Sequence, residues 1–122
     1  MKDVVDWNQL ESLRDLQEPD EPDLIEELLA TFVGDGQPRM ARIAAAVSAG
    51  NGAAVRMEAH TLKGSAALLG AVRLSEAAER LEHAAHAGET GRLAGLADDL
   101  ARSMDDALAA FADPPFRRGR HM

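Results

Sequence analysis

A histidine, a lysine and a glycine fall together in the run Ala59-His60-Thr61-Leu62-Lys63-Gly64-Ser65. At roughly 100° per residue, a helix through this run places Lys63 and Gly64 within about 60° of His60. Arg56, one turn earlier, and Ala67, two turns later, extend the same stripe, and Leu68 lies near its edge. The opposite side reads Val55, Ala59, Leu62, Ala66 and Leu69, an apolar seam at three- and four-residue spacing. The seam buries the helix, so the stripe faces outward and His60 points away from the core. An exposed imidazole, with cations beside it and a residue lacking a side chain one turn on, suits a nucleophile offered to a large partner. Imidazole fits that task because its neutral form is available near pH 7.

The wider text carries a family resemblance. The run from His60 to Ala71, H-T-L-K-G-S-A-A-L-L-G-A, resembles the signature of histidine-containing phosphotransfer (HPt) domains. Residues 23–32, D-L-I-E-E-L-L-A-T-F, and 74–82, L-S-E-A-A-E-R-L-E, resemble the helices that flank that signature. The likeness spans most of residues 6–112. It implies a helical-bundle phosphocarrier of a multistep two-component relay. His60 would accept a phosphoryl group from a receiver-domain aspartate and pass it to a second receiver aspartate, using Nε2 as the family does. Response-regulator receivers and a hybrid histidine kinase are the partners it implies. Lys63 would support the phosphoryl charge from about a turn away, with Arg56 assisting from the turn before. Gly64 costs roughly 1 kcal/mol relative to alanine inside a helix. Either a neighbouring helix needs that notch, or a receiver closes over His60 through it, with Ala67 and Leu68 extending the contact surface.

What the chain lacks bears on the division of labour. It has no Walker loop, no glycine-rich nucleotide motif and no kinase catalytic-loop pattern. It is therefore expected to be no self-sufficient enzyme and to bind no cofactor, the magnesium for transfer coming from the partner receiver. Asp98-Asp99 and Asp105-Asp106 recur at heptad spacing and read as a solvated helix face. His83 and His86, near Glu79 and Glu82, have the spacing of a transition-metal pair. No complementary Glu-x-x-His motif stands on a second helix, so they read as polar surface.

Composition sets the outer bounds. The 122 residues suffice for one domain and include no cysteine, which excludes a disulfide framework and thiolate chemistry. The formal charge of −8 argues against general nucleic-acid binding. No stretch approaches the roughly 18 apolar residues of a membrane span, and the first residues lack a signal peptide's apolar core. A cytoplasmic monomer is expected.

The elements that must position His60 follow from periodicity and breakers. Residues 6–16 read as a short helix carrying Leu10, Leu13 and Leu16, ended by Pro19 and Pro22. A second helix begins near residue 23, with Leu24, Ile25, Leu28, Leu29 and Phe32 as its apolar face. Local rules place a break at Gly34, Gly36 and Pro38, with Pro38 opening a segment through Ile43 and Val47, whereas the resembled family commonly has one long helix here; a kink is expected. Asn51 is placed to cap the signature helix over residues 53–69, and Gly70 to end it. Helices over 72–87 and from about 90 to 111 follow, the first through Leu74, Ala78, Leu81 and Ala85. The second faces inward through Leu93, Leu96, Leu100, Met104 and Leu108. The sum is an all-α, antiparallel up-down four-helix bundle with an additional short N-terminal helix. Tails are expected at residues 1–5 and 113–122, the latter carrying the basic run Arg117-Arg118-Gly119-Arg120. Two other readings share this sequence: a bundle adaptor that is not phosphorylated, and the HPt module of a larger hybrid kinase.

Overall fold

Local chemistry sets several of the helix ends. In the computed structural model, which describes residues 4–18 and 23–113, five helices occur: α1 Trp7–Asp15, α2 Leu24–Ser48, α3 Gly52–Leu68, α4 Val72–His86 and α5 Thr90–Ala112. Asp6, Asp23 and Asn51 cap α1, α2 and α3, their side chains accepting from the backbone N–H groups of Asn8, Glu26 and Ala54. Gly70, at φ +77°, ends α3 in the left-handed conformation expected of it. No described helix is long and apolar enough to cross a membrane.

Helices α2 to α5 form the antiparallel four-helix bundle, and α1 closes one end. The core runs down its centre through Ile25, Leu29, Ile43, Val55, Leu62, Leu74, Leu81, Leu93, Leu100 and Met104. Small residues line the α3–α4 seam, where Ala59, Ala66, Ala77, Ala78 and Ala84 are all buried and allow close approach. Trp7 of α1 meets Phe111 edge-on with centroids 6.0 Å apart, and Phe111 meets Phe32 in the same way at 5.5 Å. Asp6 N–H donates to the Gly70 carbonyl at 2.7 Å, which fastens the start of α1 to the end of α3. Val5, assigned by the sequence to a tail, is buried in the core at 2% exposure. The rest of the expected tails, apart from Val4 and Asp113, lies outside the described residues.

The break that local rules place at residues 34–38 is absent: α2 continues through Pro38 to Ser48. Proline removes one backbone donor and crowds the carbonyl four residues earlier, a cost of about 3 kcal/mol. Here that carbonyl belongs to Gly34, which is exposed, as is Pro38 itself. Water can therefore serve the freed acceptor. Burial of Phe32 and Gly36 before the proline and Ile43 and Ala46 after it holds both halves of the helix to one core. Gly36 has its own reason: a Cβ there would lie 3.2 Å from Met104 Sδ, so glycine lets α2 lie close against α5. Three residues predicted as core are instead exposed. Leu16 caps the end of α1, and Leu24 and Leu28 are 44% and 39% exposed on the outer side of α2.

Candidate functional site

The backbone of α3 presents His60 on its outer face, as the seam at Val55, Ala59, Leu62 and Ala66 requires. The His60 side chain is 68% exposed. Its Nδ1 lies 2.7 Å from Oε2 of Glu82, on the adjacent α4. Lys63 Nζ lies 2.7 Å from the other oxygen, Oε1, of the same carboxylate. The Lys63 contact lies off the axis of an ideal hydrogen bond, so it is chiefly an ion pair. Glu82 itself is only 13% exposed, held between the two helices. Ser75 Oγ donates to the Lys63 carbonyl at 3.3 Å, a further tie between α3 and α4 beside this cluster.

The electrostatics follow from that geometry. Contact with Lys63 and then with His60 holds the Glu82 carboxyl below the ordinary carboxylate range, against the opposing effect of burial. Reciprocally, Glu82 first and Glu79 more weakly hold the Lys63 ammonium above the ordinary lysine value. Glu82 is thus an ionised acceptor at neutral pH. An ionised carboxylate can only accept, so a hydrogen bond from Nδ1–H favours the neutral tautomer whose lone pair is on Nε2. Among the described residues nothing hydrogen-bonds Nε2. The ring is therefore oriented by Glu82, and Nε2 is left without a partner among the described residues.

The remaining stripe residues surround this centre. Arg56, Gly64, Ala67 and Leu68 are all exposed on α3, as the helical projection placed them. A Cβ at Gly64 would meet nothing within 4 Å, so no neighbouring helix uses that glycine as a notch. Met57, exposed one turn before His60, joins Arg56, His60 and Glu82 around a shallow depression. Sequence reasoning passed over Met57 and assigned Glu82 to the surroundings of a histidine pair. His83 and His86 are both exposed, and among the described residues no three His, Asp or Glu side chains are grouped to hold a metal ion. Asp98, Asp105 and Asp106 lie exposed on α5, while Asp99 pairs with Arg102. On the far flank of α3, Glu58 binds Arg39 at 2.5 Å and Arg42 at 2.8 Å, clasping α3 to α2.

An exposed helical histidine, backed by a carboxylate and a lysine on a four-helix bundle, agrees with what comparison with known proteins finds. Residues 27–113 match the family model of the Hpt domain, and the chain belongs to that family. Its fold is similar to that of histidine-containing phosphotransfer protein B (HptB) from Pseudomonas aeruginosa PAO1, known from a crystal structure. The two chains are 32% identical, with a TM-score of 0.83 over 92% of this chain and 94% of the other. A comparison with curated proteins gives no match.

Proposed function

We propose that the chain is a phosphocarrier that accepts a phosphoryl group on Nε2 of His60 from a receiver-domain aspartate and delivers it to another. The observation that carries this reading is the contact of Nδ1 with Glu82 on a side chain that is 68% exposed, which leaves Nε2 without a partner among the described residues. The Nε2 lone pair attacks the phosphorus of the acyl phosphate, and the P–O bond to the aspartate breaks with its electron pair on the carboxylate. The ring becomes an N-phosphoryl imidazolium, whose new positive charge faces the Glu82 carboxylate. The reverse sequence delivers the phosphoryl group to a second aspartate. No proton enters or leaves the ring in either direction.

Lys63 stands about one turn from His60, where its charge offsets that of the phosphoryl group; Arg56 is near enough to assist. Gly64, Ala67 and Leu68 give a low surface over which a receiver closes. In this reading the chain supplies the nucleophile and the receiver supplies its magnesium and acidic pocket. The chain is a carrier and not an enzyme acting alone, and its partners are receivers, including that of a hybrid histidine kinase.

The test is single-turnover transfer from a phosphorylated receiver to this chain, with the phosphorylated residue mapped by mass spectrometry. Label on His60 that chases to a second receiver supports the proposal. Label acquired from ATP with no receiver present, or carried by His83 or His86, refutes it.

A further inference from the structure

Glu82 divides its two oxygens between His60 Nδ1 and Lys63 Nζ, each at 2.7 Å. The arrangement matters most after His60 is phosphorylated. A ring bearing a phosphoryl group on Nε2 and a proton on Nδ1 is cationic, and departs from phosphorus as neutral imidazole. If Nδ1 loses its proton to water, the departing group is an imidazolate anion, a far poorer leaving group, and the P–N bond becomes inert. What faces Nδ1 therefore decides over what pH range the phosphoryl group can move on.

Resting on the carrier reading above, we infer that Glu82 is a positioning residue that retains the Nδ1 proton on phosphorylated His60, keeping the P–N bond transferable above neutral pH. The step balances without an added reactant. The acceptor carboxylate forms the new P–O bond, the N–P electron pair returns to Nε2, and the Nδ1 proton stays where Glu82 accepts it. A neutral amide at position 82 would hold the ring in place but would not favour its cationic form. A carboxylate does both, because an opposite charge within about 4–6 Å stabilises the charged state.

The surroundings support an ionised Glu82 in this role. From α3, Lys63 and Arg56 flank His60; from α4, Glu79 and His86 lie one turn to either side of Glu82. Lys63 keeps Glu82 ionised through the whole neutral range. The α2 cations Arg39 and Arg42 are held by Glu58, which lies about 160° around α3 from His60. Among the described residues no charged group of α5 acts on Glu82 or Lys63.

The experiment phosphorylates the chain with phosphoramidate, a small donor that needs no receiver. Loss of the P–N bond is then followed by phosphorus NMR from about pH 6 to pH 10, a range spanning imidazole titration. Helicity is checked in parallel by circular dichroism. In the wild type, the pH at which the bond becomes inert should lie at least about one unit above that in Glu82→Gln. Glu82→Asp, which keeps the charge, should recover part of the difference. Lys63→Ala should move the midpoint upward, because the carboxylate then serves His60 alone. A folded Glu82→Gln with the wild-type midpoint overturns the inference while leaving the carrier reading intact. Should Glu82→Gln not fold, a Lys63→Ala midpoint that stays put or falls overturns it equally. A wild-type chain that takes no phosphoryl group on His60 from phosphoramidate or from a phosphorylated receiver removes the carrier reading, and this inference with it.

Discussion

Gly64 can be used to separate what the fold needs from what a partner needs. It sits inside α3 on the exposed face, four residues beyond His60. There glycine costs roughly 1 kcal/mol relative to alanine, through its greater backbone freedom in the unfolded chain. A Cβ at this position would meet nothing within 4 Å. Gly64→Ala should therefore stabilise the protein by about 0.5–1 kcal/mol. For a bundle of this length that corresponds to a rise in Tm of roughly 2–5 °C. Urea titration followed by circular dichroism measures it, with Gly36→Ala as the internal comparison. At Gly36 the new Cβ would lie 3.2 Å from Met104 Sδ and 3.6 Å from Leu108 Cδ2, so the gain there should be smaller. A destabilised Gly64→Ala would refute the reasoning, since it would mean that the chain's own packing requires the glycine. If the gain is found, the glycine's cost is offset outside the chain's own fold. Gly64→Gln should then slow phosphoryl transfer from a receiver while leaving the fold intact. Transfer by Gly64→Gln at the wild-type rate would remove the close-approach role.

Other perturbations test separate links. His60→Gln should abolish phosphoryl acceptance and leave helicity and Tm nearly unchanged, because the side chain is exposed; mapping of residual label checks this. Lys63→Ala should slow transfer modestly, and by less than withdrawing magnesium from the receiver, as single-turnover kinetics would show. Gly70→Ala should cost at least about 1–2 kcal/mol in a urea titration, since a side chain disfavours the left-handed region. A Cβ there would also come within 2.5 Å of the Asp6 carbonyl oxygen. Stability should fall as the pH drops below about 4.5. Glu58 and Glu82 both titrate lower in the folded chain than in the unfolded one, so the unfolded chain binds more protons there. Denaturation midpoints taken down the acid range should show a shallower slope for Glu58→Gln.

The stripe of α3 was legible because helical projection alone fixes it: the apolar seam orients the helix, and His60, Lys63, Gly64 and Ala67 follow. The cap at Asn51 and the stop at Gly70 were legible for the same local reason. At Pro38 local chemistry gave the wrong answer. Its cost is real, but burial on both sides of residues 34–38 outweighs it, and that burial belongs to the bundle. Leu24 and Leu28 misled in the opposite direction. An apolar residue one position from a buried one reads as core in the chain, yet only Ile25, Leu29 and Phe32 face inward.

Glu82 was hidden for a geometric reason. Nothing near it in the chain marks it as a partner of His60, and its neighbours His83 and His86 suggest a different chemistry. The relation is set by the register of the α3–α4 hairpin, in which His60 and Glu82 stand equally far along the chain from Ala71. That register depends on the turn at Gly70, which is left-handed and held to Asp6 by a 2.7 Å hydrogen bond. A slip of one residue in α4 would rotate position 82 by about 100° and carry the carboxylate away from Nδ1. Which nitrogen of His60 has a partner is thus fixed by a turn ten residues away. The α3 stripe explains why the histidine is exposed, and the register of the hairpin explains why Nδ1 has a partner while Nε2 has none among the described residues.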